Sequence, residues 1–176
     1  MEEGFVERAR RVKLVVLDVD GVMTDGSIIL DNEGNEFKAF NVRDGHALKL
    51  AGRAGLVLAV ITGRKSAVVE RRMKELGIAE VYQGVHDKVS VYRDILTRYG
   101  FTDIQAAYMG DDVVDVSLLE EVGLPAVPAD ADGESSARAV FTSSRRGGRG
   151  AVREFIEKIL RAQGLWEDLT RKPGPR

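Results

Sequence analysis

Val12-Lys-Leu-Val-Val-Leu-Asp-Val-Asp-Gly-Val-Met-Thr-Asp-Gly26 is the stretch around which the rest of the sequence is organised. Five of its first six residues are apolar, a pattern typical of a strand buried on both faces inside a parallel sheet. Asp18 and Asp20 follow this strand, and Gly21 permits a sharp turn and the close approach of a ligand. Two carboxylates at the end of a buried strand repel each other, and a divalent cation would offset that repulsion.

The composition is that of an ordinary globular chain. The 176 residues are 44% apolar and 31% charged with a net charge of −2, so we expect neither nucleic acid nor a membrane as partner. No apolar run approaches the length of a membrane span, and the charged N-terminus lacks the apolar core of a signal peptide. The absence of cysteine excludes disulfides, thiolate metal sites and a cysteine nucleophile. We expect a single cytoplasmic domain over residues 1–176.

Alternating strand and helix patterns predict the architecture. Two strand-like runs around Asn32-Glu-Gly-Asn35 predict a β-hairpin over about residues 27–41. Helices are predicted over residues 47–54 with Asp44 as N-cap, between Ser66 and Gly77, over 88–99 and over 151–162. We expect a frayed tail from Lys172. The alternation predicts an α/β fold with a Rossmann-like, doubly wound parallel sheet.

Polar residues recur where four of the predicted elements end or begin. In chain order they are Asp18 with Asp20, Thr62, Lys88, and Asp111 with Asp112. Because the carboxyl ends of parallel strands lie at one edge of a sheet, we expect these side chains to converge. Their order and spacing resemble the four motifs of the haloacid dehalogenase superfamily of phosphatases, and the resemblance spans roughly residues 12–127.

This resemblance implies catalytic roles in phosphoryl transfer, which requires a nucleophile, charge neutralisation and protonation of the leaving oxygen. Asp18 would be the nucleophile and form an aspartyl-phosphate. Asp20 would be the general acid and then the base for water. Thr62 would hydrogen-bond the phosphoryl group, and Lys88 would balance the carboxylates and hold the nucleophile.

The same resemblance implies a magnesium cofactor. The ion would bind Asp18, the backbone carbonyl of Asp20, and Asp111, because hard cations prefer oxygen ligands. Asp112 and Asp115 would support the site. Taken alone, these last two aspartates could instead be first-turn residues favoured by a helix dipole.

Single residues of the pattern have simpler explanations. Thr62 could close a turn, and Lys88 could be a solvated helix residue. His46 and His86 are candidates for acid–base chemistry, but a lone loop histidine is usually neither ligand nor catalyst. Four matching elements in the right order favour the phosphatase over these readings.

Two other classes of protein remain as alternatives. Receiver domains of two-component signalling combine acidic residues, a phospho-accepting Asp, a Thr and a Lys on a similar sheet. In them the acidic pair precedes the phospho-accepting residue, whereas here the pair Asp111 and Asp112 comes last. A non-catalytic, oligomer-forming structural module would be indicated by the loss of an essential carboxylate, and none is missing.

The chain also lacks room for a cap domain, since only the short hairpin follows the first motif and one helix with a short strand precedes Lys88. Three segments resemble the 3-deoxy-D-manno-octulosonate 8-phosphate phosphatase family of lipopolysaccharide sugar biosynthesis. They are Phe40-Asn-Val-Arg-Asp-Gly45, Thr62-Gly-Arg-Lys-Ser66 and Gly147-Gly-Arg-Gly-Ala-Val-Arg-Glu154. The resemblance implies a magnesium-dependent homotetramer assembled by its hairpins.

It further implies that the C-terminal segment, about residues 145–176, reaches a neighbour's active site. Uncapped relatives that act on nine-carbon 2-keto-3-deoxy sugar acid 9-phosphates tend to carry Glu where this chain has Arg64. Arg64 therefore favours the eight-carbon substrate, and the nine-carbon one is the alternative. The hairpin is also too short to bury its own apolar residues, which are Ile28, Ile29, Phe37 and Phe40.

The substrate carries a carboxylate far from its phosphate, and arginine provides a bidentate fork for such a group. The candidate arginines are Arg43, Arg64, Arg72 and Arg149. Asp44 and Gly63, in the segments that carry the resemblance, complete the predicted substrate-binding set. Any of these arginines could instead be a solvated or interface residue.

Overall fold

The computed structural model describes residues 2–171, and the predicted tail from Lys172 to Arg176 lies outside the described residues. The helices are α1 (Glu2–Arg11), α2 (Val42–Arg53), α3 (Ala67–Leu76), α4 (Lys88–Tyr99), α5 (Val116–Glu121), α6 (Gly133–Ser136), α7 (Ala151–Ala162) and α8 (Trp166–Thr170). The strands are β1 (Leu14–Leu17), β2 (Ile29–Leu30), β3 (Glu36–Phe37), β4 (Val57–Thr62), β5 (Glu80–Gln83), β6 (Ala106–Met109), β7 (Leu124–Val127) and β8 (Phe141–Thr142). Short 3₁₀ helices, Asp103–Gln105 and Val113–Asp115, precede β6 and α5.

Six strands form one parallel sheet in the order β5-β4-β1-β6-β7-β8. The chain builds outward from β1 through β4 to β5, and α4 then leads to β6 on the other side of β1. Ligands of open α/β sheets bind at the carboxyl ends of the strands where the winding direction reverses, which here is β1. The predicted doubly wound α/β fold is confirmed. None of the helices described is long and apolar enough to cross a membrane.

The apolar run of β1 is explained by two cores, one on each face of the sheet. Leu14 and Val16 belong to the core that α4 and α5 cover, and Val15 and Leu17 to the core that α2 and α7 cover. None of these side chains is more than 1% exposed. Because successive side chains face opposite sides of a strand, a strand covered on both faces requires apolar residues throughout, each stabilising the fold by about 1.5–3 kcal/mol.

Several predicted helix boundaries are confirmed. The Ser66 hydroxyl accepts a hydrogen bond from the Val69 N–H at the start of α3, and Gly77 ends this helix with a φ of 77°. Helices α4 and α7 have the predicted bounds. A capping side chain or a glycine lies at the ends of these helices, so short-range sequence signals were sufficient to predict their bounds.

The start of α2 differs from the prediction. The helix begins at Val42, and its N-cap is Asn41, whose side chain accepts from the Arg43 and Asp44 N–H groups. Asp44, predicted as the N-cap, lies inside the helix. Its carboxylate accepts hydrogen bonds at the N-terminus of α7, from the Arg153 N–H at 2.8 Å and the Gly150 N–H at 3.3 Å. The capping prediction was wrong because this carboxylate caps a helix 106 residues away in sequence.

Helices α1 and α8 were not predicted. Helix α1 is rich in charge, but Phe5 is buried with its ring centroid 5.2 Å from that of Phe141. In α8, Trp166 is buried and its ring contacts the guanidinium groups of Arg153 and Arg161. Both helices depend on packing against α7 rather than on a local sequence signal.

The predicted hairpin is present but small, since β2 and β3 pair over only two residues each. At its turn the Asp31 carboxylate accepts from the N–H groups of Glu33 and Asn35. Four apolar side chains on this hairpin are unusually exposed: Ile28 59%, Ile29 50%, Leu30 59% and Phe37 54%. A surface of this kind marks an interaction site more often than a free surface. The expectation for Phe40 was wrong, because it is partly buried against the core.

The glycine-rich segment before α7 packs against the loop that follows β1. The Gly148 N–H donates to the Val22 carbonyl at 2.9 Å. A methyl group at Gly147 would overlap the carbonyl of Gly21, and one at Gly148 would meet the backbone of Thr24. These glycines therefore permit close approach of two backbones, a role that the sequence analysis did not identify.

We expect Gly147→Ala to destabilise the protein, because the added methyl has no space against the Gly21 carbonyl. Overpacking costs about 1–3 kcal/mol, measured as the change in urea-unfolding free energy. Gly52→Ala is the matched control: Gly52 lies within α2 with open space at its Cβ, so alanine should stabilise by about 0.5–1 kcal/mol. Equal effects of the two substitutions would contradict the packing assignment.

Candidate active site

Three carboxylates converge at the carboxyl ends of β1 and β6. Asp18 follows β1, Asp111 lies two residues after β6, and Asp115 ends the 3₁₀ helix that follows. One oxygen from each lies within 4.8 Å of the others. The sheet register explains this convergence, because Leu17 pairs with Met109 and the Asp18 N–H donates to the Met109 carbonyl at 3.0 Å.

Lys88, the first residue of α4, lies between two of these carboxylates. Its Nζ is 3.0 Å from Asp18 Oδ1 and 2.6 Å from Asp115 Oδ1, and the side chain is buried. The Tyr108 hydroxyl donates to Asp115 Oδ1 at 2.6 Å and accepts from Lys88 at 3.2 Å. Lys88 is therefore a buried partner of the predicted nucleophile, and its interpretation as a solvated helix residue is wrong.

Asp115 organises the loop between β6 and α5. Its Oδ2 accepts from the Asp111 N–H at 2.8 Å and the Asp112 N–H at 3.2 Å, while its Oδ1 faces Lys88. Asp112 is different, because its carboxylate accepts from the Val113 N–H at the start of the 3₁₀ helix. Asp115 is fully buried and Asp112 is a helix cap, so the two predicted supporting residues have separate roles.

The crowding of carboxylates shifts their pKa values upward. Burial is the main cause that raises the pKa of Asp18 to about 6, although the Lys88 ammonium opposes the increase. Burial also raises the pKa of Asp111 to about 8, and the negative charges of Asp18 and Asp115 add to this increase. One ammonium among three carboxylates leaves excess negative charge, which a proton or a bound cation would compensate.

The donor set fits a hard divalent cation. Asp111 Oδ1 is buried and has no hydrogen-bond partner among the described residues, although buried polar atoms are normally paired. Gly21 faces this carboxylate so closely that a Cβ would overlap it. The oxygens of Asp18 and Asp111, with carbonyl oxygens of the following loop, are of the type that magnesium prefers.

Asp20 follows β1 and Thr62 ends the neighbouring β4, and the settings of their side chains differ. The Asp20 side chain is 23% exposed, and its Oδ1 forms an ion pair with Lys38. Its Oδ2 is 3.9 Å from the Arg64 Nε. Thr62 is buried at the end of β4, which lies beside β1 in the sheet, and Gly63 follows it on the surface.

Glu36 and Lys38 belong to the site and were missed by the sequence analysis. Glu36 Oε1 lies 3.5 Å from Lys38 Nζ and 2.9 Å from Arg64 Nη2, and its Oε2 accepts from the Ser66 hydroxyl. The hydrogen bond from Ser66 is the main cause that lowers the pKa of Glu36. Glu36 begins β3 and Lys38 directly follows it, and a spacing of two residues in extended chain, which places both side chains on one face, was the available signal.

The predicted substrate-binding residues are not brought together in the single protomer. Arg64 lies at the Glu36–Asp20 cluster, whereas Arg72 pairs with Glu75 at 2.8 Å and packs over the Phe40 ring. Arg43 and Arg149 line a separate open groove of about 990 Å³ beside α7. Asp44 is buried, with its oxygens committed to α7, and a substrate contact for it stays a prediction. His46 and His86 are exposed and lie outside the carboxylate cluster.

Several known proteins are similar to this chain in sequence and in fold. No protein-family model matches the chain. The protein 3-deoxy-D-manno-octulosonate 8-phosphate phosphatase KdsC from Escherichia coli K12 is 43% identical over 163 residues, covering 93% of this chain and 87% of the relative. A KdsC from Yersinia pestis is 41% identical over 168 residues, covering 96% and 90% of the two chains.

A crystal structure from Moraxella catarrhalis superposes with a TM-score of 0.93 at 39% identity, covering 96% of each chain. It is a 3-deoxy-D-manno-octulosonate 8-phosphate phosphatase in complex with a magnesium ion, a phosphate ion and a KDO molecule. The cobalt-bound phosphatase YrbI from Haemophilus influenzae superposes with a TM-score of 0.89 at 36% identity, covering 93% of this chain and 96% of that one.

We expect magnesium to stabilise the protein more at high pH than at low pH. Without a cation, Asp18 and Asp111 have raised pKa values, so the stability they contribute is full below their unfolded-state pKa near 4 and is lost as pH rises through about 6 and about 8. The melting temperature of chelated protein should therefore fall over this range, and magnesium should reverse the fall.

Asp111→Asn should flatten the pH dependence of the chelated protein and remove most of the magnesium-induced increase in melting temperature. Asp94→Asn, on the exposed face of α4, is the control and should behave like the wild type. A magnesium response that survives unchanged in Asp111→Asn would remove this residue from the metal site.

Proposed function

Because this chain belongs to the 3-deoxy-D-manno-octulosonate 8-phosphate phosphatase family of the haloacid dehalogenase superfamily, we propose that it hydrolyses this sugar phosphate with magnesium as its cofactor. The observation that carries the proposal is the buried Asp18–Lys88 pair beside the half-buried Asp111 at the carboxyl ends of the central strands. The chain is a phosphomonoester hydrolase, and the receiver-like and non-catalytic alternatives are set aside.

In the first step, an Asp18 carboxylate oxygen attacks phosphorus and the bond between phosphorus and the sugar oxygen breaks. Asp20 transfers its proton to the departing oxygen, which leaves as the sugar hydroxyl. Lys88, 3.0 Å from Asp18 Oδ1, holds the nucleophile in position and keeps part of its charge compensated. Thr62, at the end of the neighbouring strand, donates its hydroxyl to a phosphoryl oxygen.

In the second step, water attacks the phosphorus of the aspartyl-phosphate and transfers a proton to Asp20. The bond from phosphorus to the Asp18 oxygen breaks, so inorganic phosphate is released and both aspartates return to their starting protonation states. Asp18, the Asp20 carbonyl and Asp111 would hold magnesium, which when bound neutralises charge on the phosphoryl oxygens.

Recognition of the sugar acid is assigned to arginine. Arg64 is the candidate arginine whose guanidinium lies beside Asp20, with its Nε 3.9 Å from Asp20 Oδ2, and it also pairs with Glu36. Arg72, Arg43 and Arg149 lie at other surfaces of the protomer, where a second protomer would be needed to bring them to this site. The sugar carboxylate is therefore bound by Arg64 together with arginines supplied across a subunit interface.

The assembly that we propose is a homotetramer formed through the hairpins. Its basis is the exposed apolar set on β2 and β3, which a monomer leaves in water at a cost of about 25 cal/mol for each Å². The C-terminal segment from residue 145 would then contribute to a neighbouring site, as the sequence analysis expected. A cytoplasmic location, where this biosynthetic step is expected, belongs to the same proposal.

Phosphate release from 3-deoxy-D-manno-octulosonate 8-phosphate should require magnesium and should be abolished by Asp18→Asn, because the amide has nearly the shape of the carboxylate but is not a nucleophile. A panel should include a nine-carbon 2-keto-3-deoxy sugar acid 9-phosphate and p-nitrophenyl phosphate as a generic ester. The highest kcat/KM should be on the eight-carbon substrate.

Asp94→Asn is the matched surface control and should leave turnover unchanged. A higher kcat/KM on the nine-carbon ester would replace the proposed substrate. Near wild-type turnover in Asp18→Asn would remove Asp18 as nucleophile.

Light scattering should show a tetramer at micromolar concentration, and Phe37→Glu combined with Ile29→Glu should reduce the assembly to smaller species. Burial of two carboxylates in an apolar interface is strongly unfavourable. Ile104→Glu is the control, because Ile104 is equally exposed at 57% but lies far from the hairpin in sequence. A wild-type monomer, or a tetramer that survives the double substitution, would contradict the hairpin interface.

A further inference from the structure

The side chain of Lys38 is unusual because it is almost completely buried although it lies on the exposed hairpin. It is 1% exposed, and its ammonium forms an ion pair with Asp20 Oδ1. We infer that Lys38 is a positioning residue that orients the carboxylate of the general acid–base Asp20, an inference that deepens the proposed function and rests on it.

Burial of this ammonium needs a specific reason. A lysine loses up to about 2 kcal/mol of side-chain entropy when it is fixed, and burial of an unpaired charge costs far more. On a hairpin the same side chain could extend into water at no such cost. Both costs are offset only by partners that hold the ammonium in one place, and these partners are Asp20 and Glu36.

Glu36 is itself fixed by its contacts, so the second partner of the Lys38 ammonium is also held in place. One oxygen of Glu36 lies 2.9 Å from Arg64 Nη2 and 3.5 Å from Lys38 Nζ, and the other accepts from the Ser66 hydroxyl. Ser66 is anchored in turn, because it is the N-cap of α3. The chain Ser66–Glu36–Lys38 thus connects a rigid helix terminus to the catalytic carboxylate.

The contact with Lys38 determines which oxygen of the Asp20 carboxylate is available for proton transfer. Asp20 Oδ1 is paired with Lys38. Asp20 Oδ2, which lies 3.9 Å from the Arg64 Nε, is the oxygen that protonates the leaving group and later accepts a proton from water. A general acid must lie within hydrogen-bond reach of its target, and the part-exposed Asp20 carboxylate would otherwise sample several rotamers. Lys38 acts through Asp20 and makes no contact with the reacting phosphorus.

The test is a double-mutant cycle with Lys38→Met, Asp20→Asn and the double variant, measured as kcat and KM on the eight-carbon sugar phosphate and on p-nitrophenyl phosphate. We expect Lys38→Met to lower kcat about 10- to 100-fold, part of the 10²–10⁴-fold that general acid–base catalysis contributes, with KM within about twofold. In the Asp20→Asn background, Lys38→Met should have no further effect on kcat.

Three results would overturn the inference. Losses that multiply in the double variant would show that Lys38 acts independently of Asp20. A wild-type kcat in Lys38→Met would remove the residue from catalysis. A raised KM at unchanged kcat would make it a substrate contact. Lys74→Met, on the exposed side of α3, is the matched control and should leave both constants unchanged.

Thermal unfolding and light scattering on each variant show whether a loss of kcat arises from a misplaced Asp20 carboxylate or from altered folding or assembly. If Lys38→Met does not fold, the cycle is run with Lys38→Gln, whose amide can still donate to Glu36, and the same lack of additivity is required. The wild type could fail to hydrolyse the sugar phosphate and still hydrolyse p-nitrophenyl phosphate in a magnesium-dependent reaction. That result would contradict only the proposed substrate, and the role of Lys38 would then be decided by the cycle measured on p-nitrophenyl phosphate.

Discussion

The placement of the Lys88 ammonium between Asp18 and Asp115 is the interaction on which the rest of the site depends. Three carboxylates meet within 4.8 Å where the interior of the protein ends, and like charges at this distance could not remain buried together without compensation. Lysine supplies one positive charge, the Tyr108 hydroxyl and two backbone N–H groups satisfy Asp115, and the remaining excess charge accounts for the raised pKa of Asp111. A bound magnesium ion would compensate the same excess.

The sheet fixes the positions of these residues relative to one another. Because β1 and β6 are parallel neighbours in register, the residues that follow them emerge at the same level. The loop after β1 is then held from the other side by Gly147 and Gly148, which approach it more closely than any larger residue could. Asp44 adds a further tie, since it joins α2 to the start of α7 directly after this glycine segment. Catalytic precision thus depends on backbone packing remote in sequence from the aspartates.

Successive side chains of the hairpin alternate between the solvent-exposed surface and the candidate active site. Phe37 and the apolar residues of β2 face outward, where they are available for other subunits, while Glu36 and Lys38 face the site and contact Asp20. This small insertion thus carries both the exposed apolar set on which the proposed assembly rests and the side chains that contact Asp20. Association of subunits and orientation of the general acid would therefore be linked through one short element.

The sequence by itself determined the fold class, the bounds of α3, α4 and α7, and the meeting of Asp18, Lys88 and Asp111 at the carboxyl ends of the strands. It did so because apolar periodicity, caps and strand-end polar residues are local signals, and parallel strands place their carboxyl ends together. Only the tertiary structure decided that Asp44 caps α7, that Gly147 contacts the nucleophile loop, and that Lys38 lies buried against Asp20. Each of these contacts joins residues 18 or more positions apart, where no local propensity specifies which side chains will meet.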